Sequence, residues 1–327
     1  MKAIILISLG LATSLPASAQ AYRDSEPLTH TFSIVARDPR TGEMGVAVQS
    51  HWFSVGSVVS WGEAGVGVVA TQSFVNKSFG PRGLDLMRQG MEPAAALQRL
   101  LQDDEGRNVR QVALLDAKGR VAVHTGEDCI AFASHDSGEG FSVQANMMLS
   151  DRVVPAMKAA WLKHDDLPLA ERLVEVLKAA QAAGGDIRGK QSAALLVIRG
   201  EATGRPWDDR LIDLRVDDAV EPIAELERLL RVFRAYQYMN QGDVHVEQGD
   251  MPAAMEAYGA AMKMFPENLE MKYWTAVALA SRGETDKAAA MLREVYAKDP
   301  NWRELTRRLP DAGILDLPAQ DLEKLVR

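Results

Sequence analysis

Six polar side chains in the first two thirds of the chain are of types that carry out nucleophilic and acid–base chemistry. A hydroxyl is a weak nucleophile and needs a base beside it, and a side-chain amide can donate a hydrogen bond to a developing oxyanion. Because side chains alternate along a strand, the hydroxyls of Thr31 and Ser33 lie on the same side of one strand. The candidate site residues are Thr31, Ser33, His51, Glu63, Asn146 and Asp186.

Each candidate also has a purely structural interpretation. Thr31 fits the first position of a strand, where threonine is common, and Ser33 fits a hydrogen-bonded strand position. His51 can be a structural or exposed histidine. Glu63 sits in a glycine-flanked turn, Asn146 suits a turn or cap, and Asp186 fits a loop beside two glycines.

Hydrophobic patterning indicates the elements that must position these residues. Alternating and β-branched runs predict strands, and 3.6-residue periodicity predicts helices, with a break near Gly90 and Pro93. Strands returning as hairpins favour antiparallel sheets, with blocks of helices layered outside them. A four-layer α-β-β-α sandwich fits, as one option among several. The predicted strands cover residues 32–37, 44–50, 57–61, 65–71, 111–115, 121–124, 141–145, 193–199 and 211–216. The predicted helices cover 84–101 and 151–183, the second stretch with an interruption near residues 165–168.

The last hundred residues carry an internal repeat. Matching residues recur at an offset of 34, the tetratricopeptide period. Small alanines allow paired helices to approach, and a proline ends the second helix of each unit. Two units are fewer than a solenoid needs, so they must stack on flanking helices or on the main domain. The matched pairs are Gly249 with Gly283, Ala254 with Ala288, Tyr258 with Leu292, Ala261 with Val295, and Pro266 with Pro300.

Several segments together resemble one protein family. The chain is similar to the family catalogued as domain of unknown function 1028, placed in the Ntn-hydrolase superfamily. The resemblance spans about residues 31–218 and implies the sandwich fold together with a candidate reaction class, since the family's activity is not established. The matching segments are Thr31–Pro39, Gly62–Gln72, Phe79–Gly83, Val143–Met147, Gly185–Ala193 and Asp213–Asp218.

The resemblance implies a role for Thr31. Ntn hydrolases use the first residue of the mature chain as nucleophile, and its free α-amino group, with a pKa near 7.7–8.0, serves as the adjacent base. By residue type and position in the chain, Asn146 would donate to an oxyanion, and Asp186 would orient a positive group or the amine. Thr31 is not first in this chain, so the mechanism requires a cut between His30 and Thr31.

The start of the chain predicts export. One positive charge, an apolar run over residues 3–15 and small residues at 16–21 are typical of a secretory signal peptide. The alternative is a short membrane anchor, although the run is shorter than the ~20 residues a spanning helix needs. Cleavage would leave about ten residues before Thr31, and residues 22–30 look like a short polar leader without a core element.

Composition excludes some partners and cofactors. A formal net charge of −8 argues against nucleic acid. Six dispersed histidines show no metal-ligand spacing, and the single cysteine, Cys129, is best explained as a buried small hydrophobe. We therefore expect no cofactor, no metal and no membrane span after signal cleavage.

Two hypotheses follow. In the first, an exported periplasmic or secreted amidohydrolase cleaves a small amide or peptide with Thr31 after maturation. In the second, the leader stays, the protein is a non-catalytic binding or scaffold protein, and its repeats bind a protein partner. In both, the predicted organisation is a signal peptide (1–21), a leader (22–30), an Ntn-hydrolase-like domain (31–220) and a tetratricopeptide-like helical domain (221–327).

Overall fold

The computed structural model describes residues 28–327. The predicted signal peptide and most of the predicted leader lie outside the described residues. The chain divides into two compact units between Leu226 and Glu227, and each unit is described by itself.

The first unit is built from antiparallel strands interrupted by two pairs of helices. The strands are β1 (Leu28–Thr29), β2 (Thr31–Arg37), β3 (Met44–Ser50), β4 (Ser60–Glu63), β5 (Gly67–Phe74), β6 (Arg110–Asp116), β7 (Val121–Thr125), β8 (Ser134–Gly138), β9 (Phe141–Ala145), β10 (Ser192–Ile198) and β11 (Arg210–Val216). The helices are α1 (Phe79–Arg88), α2 (Pro93–Gln102), α3 (Val153–Lys163) and α4 (Leu169–Ala182).

These strands form two sheets. The first sheet has the order β1-β5-β6-β7. On one edge of β5, β4 pairs with the beginning of the strand and β1 pairs with its end. The second sheet has the order β11-β10-β3-β2-β9-β8. Strand β2 is therefore central, with β3 on one side and β9 on the other.

The sheets pack face to face, and the helices cover their outer faces. Valines, alanines and leucines of β3, β5, β6 and β10 fill the space between the sheets. Helices α1 and α2 pack on the first sheet through a cluster that includes Val69, Leu100 and Leu114. Helices α3 and α4 pack on the second sheet. The close approach of α4 to β3 depends on Gly45, where a Cβ would lie 2.7 Å from Leu173 Cδ1.

The second unit is helical throughout its elements. Helix α5 (Pro222–Glu247) crosses the boundary between the units, and α6 (Met251–Met264), α7 (Leu269–Ser281), α8 (Thr285–Lys298), α9 (Asn301–Arg308) and α10 (Ala319–Val326) follow. None of the helices formed by residues 28–327 is long and apolar enough to cross a membrane.

The repeat positions have equivalent roles in the structure. The glycines before α6 and α8, Gly249 and Gly283, both adopt positive φ, at 78° and 82°, a conformation that favours glycine. Tyr258 is buried and its ring fills the space beside Gly242, where a Cβ would lie 2.3 Å away. The repeats pack on α5 at one end and on α10 at the other.

The prediction of a mixed α/β region followed by an all-helical region is confirmed. The expectation that residues 22–30 hold no core element is wrong for residues 28–30, the part of this segment that the structure describes. Leu28 and Thr29 form β1, and Thr29 and His30 are buried. The polar strand β8 was also missed, and the predicted strand at 57–61 begins only at Ser60, after a 3-10 turn at Val55–Ser57.

Candidate active site at the start of strand β2

Thr31 begins β2, the central strand of the second sheet. It pairs with Ser50, the last residue of β3. The side chain of Thr31 has no exposed surface, and its hydroxyl donates to the Thr29 carbonyl oxygen at 2.8 Å. The hydroxyl proposed as the nucleophile is therefore sealed from solvent in this form of the chain.

The seal over Thr31 is made by the two residues before it. Thr29 pairs with Ser73 on the edge of β5. The His30 ring is 1% exposed, and its edge meets the ring of Phe74 at 5.5 Å between centroids. Nδ1 of His30 lies 2.7 Å from Oδ1 of Asn146. Residues 29 and 30 thus fill a slot between β5 and the end of β9.

The carbonyl group of the His30–Thr31 peptide bond is held by two donors. The Ser50 hydroxyl donates to the His30 oxygen at 2.5 Å, and the Arg188 guanidinium donates to the same oxygen at 2.9 Å. Donors placed at a carbonyl oxygen polarise that bond and stabilise the negative charge that forms when a nucleophile attacks the carbon. A cut before Thr31 would require attack on the carbon of this carbonyl group.

Arg188 is fixed by a buried carboxylate. Its Nε and Nη2 donate to the two oxygens of Asp186 at 3.1 and 2.7 Å, and its own backbone N–H donates to Oδ1 at 2.9 Å. The Asp186 side chain has no exposed surface, whereas that of Arg188 is 28% exposed. A buried carboxylate needs such pairing to offset its desolvation, and the pairing leaves Nη2 pointing at His30.

A network of amide side chains continues from this point between the sheets. Ser33 donates to Gln72 Oε1 at 2.6 Å and accepts from Gln144 at 2.7 Å. Gln72 and Asn146 then both donate to Gln111 Oε1, at 2.7 and 2.8 Å. All five side chains are buried. Satisfied buried polar networks specify one arrangement of the groups they join, so this network fixes the end of β2.

The backbone of Thr31 is part of that network. Its carbonyl oxygen accepts from the Asn146 backbone N–H at 3.1 Å and from Gln72 Nε2 at 3.2 Å. Thr31 is therefore held in place by groups other than residues 29 and 30. These contacts would remain if the chain were cut before Thr31.

The His30 imidazole is neutral at pH 7. Burial is the largest cause and lowers the pKa of His30; the hydrogen bond with Asn146 opposes that effect, and the nearby positive charge of Arg188 adds to it. A neutral imidazole suits a buried slot in which the ring has one hydrogen-bond acceptor, because a buried charge without a partner would be costly.

The structure brings four of the six predicted residues together. Thr31, Ser33 and Asn146 belong to one hydrogen-bonded network, and Asp186 reaches Thr31 through Arg188 and the His30 carbonyl. The other two lie apart from it. His51 is exposed and contributes only its backbone N–H, which donates to Asp186 at 3.2 Å.

Glu63 lies at the far end of the first sheet. It pairs with Gly67, six residues along β5 from the Ser73 that pairs with Thr29. That separation corresponds to about 20 Å of strand. The Glu63 carboxylate instead forms an ion pair with Arg88 of α1, so the structure gives it no contact with the start of β2.

Three site residues escaped the sequence reasoning. Ser50 ends β3 opposite Thr31, Arg188 follows Asp186 by two residues, and His30 was assigned to the leader. Their role depends on strand register and on a long-range loop contact. The glutamines carried a usable signal, because Gln72, Gln111 and Gln144 each interrupt a strand that is otherwise buried and largely apolar.

No group of three or more His, Cys, Asp or Glu side chains within residues 28–327 is arranged to hold a metal ion. Cys129 is half-buried, and burial raises the pKa of its thiol. A raised thiol pKa makes the nucleophilic thiolate scarce at neutral pH.

Fold and site together define a class of protein: a two-sheet α/β unit with a buried threonine at the start of a central strand, joined to a helical repeat unit. The chain belongs to the family described as "Family of unknown function (DUF1028)", whose model matches residues 31–226. A tetratricopeptide repeat model matches residues 239–301.

A solved structure from the same family is similar to this chain. The crystal structure of a Silicibacter pomeroyi protein assigned to DUF1028 is 32% identical, covers 62% of this chain and 85% of its own, and superposes with a TM-score of 0.56. No curated protein matches the chain.

Proposed function

We propose that this protein is an exported Ntn-type amidohydrolase whose nucleophile, Thr31, is freed by cleavage of the His30–Thr31 bond. The observation that carries the proposal is the His30 carbonyl oxygen, which accepts from both Ser50 and Arg188 in a sealed site. The packing of two helix-covered sheets, with Thr31 at the start of a central strand, supports an Ntn-like sandwich. The family match also begins at residue 31.

The cleavage step uses groups already in place. The Thr31 oxygen attacks the His30 carbonyl carbon, and the negative charge goes to the oxygen held by Ser50 and Arg188. The carbon–nitrogen bond breaks, the Thr31 nitrogen takes up the proton that the hydroxyl gave up, and the His30 acyl group is left as an ester on the Thr31 oxygen. Water then hydrolyses the ester to a His30 carboxylate and frees the threonine hydroxyl and amine.

The freed residue has what amide hydrolysis requires. Its α-amino group, with a pKa near 7.7–8.0, lies on the same residue as the hydroxyl it activates, so proximity is built in. The position left by the His30 oxygen then receives the carbonyl oxygen of a substrate amide. Ser50 and Arg188 stabilise the second oxyanion as they did the first.

Export is part of the proposal and rests on residues 1–21. Osmotic-shock fractionation of a bacterial host producing the full chain tests it. We expect the protein in the periplasmic or secreted fraction, shorter than the full chain by at least the signal peptide. Retention of the full-length chain in the cytoplasm would remove this part of the proposal.

The test of catalysis is a Thr31→Ala variant compared with Thr31→Ser. The alanine variant should keep residues before Thr31 attached and should hydrolyse no amide, because it has no hydroxyl. The serine variant should be cut and should keep part of the activity. Intact-mass measurement on each purified protein reads the cut, and normal cutting of the folded Thr31→Ala variant would exclude Thr31 as its agent.

A non-catalytic binding or scaffold protein is the second candidate. Two observations favour it: Thr31 has no exposed surface while residues 29 and 30 remain, and tetratricopeptide repeats follow the α/β unit. In that case the folded, exported protein retains His30, and the repeats bind a protein partner. The same mass measurement separates the two candidates.

A further inference from the structure

The slot occupied by Thr29 and His30 describes the substrate of the proposed enzyme. We propose that it is the binding site for the acyl side of the substrate, and that the substrate is an extended peptide whose last acyl residue carries a neutral, planar side chain with a hydrogen-bond donor, histidine above all. This inference rests on the proposed function and specifies which amides its site accepts.

The backbone of the slot fits an extended peptide. Thr29 pairs with Ser73 and Leu28 with Phe74 in antiparallel register, on the edge of β5 beyond the end of β4. Once residues 28–30 leave, Ser73 and Phe74 lose the pairing that β1 provides on that edge. Exposed sheet edges bind extended peptides through main-chain hydrogen bonds, so the departing segment and an incoming peptide acyl group compete for the same edge.

The side-chain pocket selects by polarity. The His30 ring meets Phe74 edge-on, and its Nδ1 lies 2.7 Å from the Asn146 amide oxygen. Its Nε2 is buried without a hydrogen-bond partner among residues 28–327. The ring thus has one hydrogen-bond partner, the Asn146 oxygen, and one aromatic neighbour, Phe74.

Charged side chains are excluded by the same surroundings. A lysine ammonium would lose its hydration in this pocket, and it would also lie near the Arg188 guanidinium that donates to the adjacent carbonyl. A carboxylate would face the Asn146 oxygen in its present orientation and would likewise be desolvated. A neutral imidazole keeps its one hydrogen bond and packs its ring.

The position of His30 in the uncut chain also shows where the reactive carbonyl of a bound peptide would lie. In the uncut chain the carbonyl of the residue in the pocket accepts from Ser50 and Arg188. A peptide bound with its side chain in the His30 position therefore presents its own terminal carbonyl to those donors. Side-chain selection and amide activation are joined in one binding mode.

The experiment uses the full chain after its own cleavage, with acetylated Pro-Leu-Thr-His p-nitroanilide as probe, whose peptide part is residues 27–30. Matched probes carry lysine, glutamate or phenylalanine in place of the final histidine. We expect kcat/KM for the histidine probe to exceed that for the lysine and glutamate probes by at least tenfold, with phenylalanine in between.

An Asn146→Asp variant tests the pocket directly. The new carboxylate should raise activity on the lysine probe relative to the histidine probe, a reversal that a general loss of folding would not produce. Glu63→Gln, in the ion pair with Arg88 on the other end of β5, is the matched control and should keep the wild-type preference.

The outcomes separate this inference from the proposed function. Hydrolysis of all four probes at similar rates, or an unchanged preference in Asn146→Asp, overturns the inference and leaves an amidohydrolase of other specificity. Absence of hydrolysis with binding of the free acid Ac-Pro-Leu-Thr-His, measured by calorimetry, supports the slot as a peptide site and removes the catalytic proposal. Absence of both hydrolysis and binding overturns the slot assignment.

Discussion

Replacing Ser50 by alanine should slow cleavage of the His30–Thr31 bond far more than it destabilises the fold. The Ser50 hydroxyl donates to the His30 oxygen at 2.5 Å, and both residues are buried. Loss of one neutral hydrogen bond costs about 1 kcal/mol of folding stability. Loss of one donor to a developing oxyanion costs roughly 10²–10³-fold in rate, with Arg188 remaining as the second donor.

The assay follows cleavage during refolding. Full-length chain is isolated unfolded, diluted into native buffer, and sampled over time by intact-mass measurement. We expect the Ser50→Ala chain to reach half-cleavage about a hundred times more slowly than the unaltered chain. Its melting temperature should fall by only about 2–4 °C, the shift that 1 kcal/mol produces in a unit of this size.

Ser142→Ala is the matched control. Ser142 is a buried strand hydroxyl that donates to Gln144 at 2.8 Å and has no contact with the His30 carbonyl. The Ser142→Ala chain should be cleaved at the same rate as the unaltered chain. Equal slowing of both variants, or an unaltered rate in folded Ser50→Ala, would refute the assignment of Ser50 as an oxyanion donor.

The remaining predictions concern pH, the far end of β5 and the helical unit. In an uncleaved background (Thr31→Ala), the free energy of unfolding should fall as pH drops below 6.5. The reason is that the pKa of buried His30 is lowered, so only the unfolded chain takes up that proton. When the free energy of unfolding is measured with denaturant at several pH values, His30→Phe should reduce its dependence on pH by up to about 1.4 kcal/mol per pH unit. Glu63→Gln should cleave at the unaltered rate in the refolding assay, and a large slowing would contradict the distance argued along β5. Leu292→Ala, at a fully buried repeat position, should cost about 2–5 kcal/mol in thermal unfolding, whereas the exposed neighbour Arg293→Ala should cost little.

Local pattern was enough to predict most strands and the repeats. Strands β2 and β3 alternate or run apolar and are bounded by the turn at residues 38–42, so their type and pairing follow from their own residues. The repeats follow from the 34-residue offset, because each unit must present the same contact to its neighbour. Gly249 and Gly283 confirm that equivalence with matching positive φ.

Two strands could not be read from local pattern. Strand β8 has the sequence Ser-His-Asp-Ser-Gly and is largely exposed, and it lies at the edge of the second sheet, where its backbone pairs with β9. Strand β1 is only two residues long and exists because β5 offers it an edge. Neither carries a hydrophobic period, which is the signal that strand prediction uses.

The candidate site divides in the same way. Thr31 and Ser33 share a face of β2 by alternation, and Asn146 follows a predicted strand, so these three were within reach of sequence reasoning. Ser50 and Arg188 acquire their role only because register places Ser50 opposite Thr31 and the Asp186 loop folds back to His30. Such long-range contacts leave no periodic trace in the sequence.

The first residue of the folded, exported protein tests the central claim most directly. N-terminal sequencing together with intact mass should show a chain that begins at Thr31, with the peptide bond to His30 gone. A folded, exported protein that begins before Thr31 and retains His30 would contradict the proposed nucleophile.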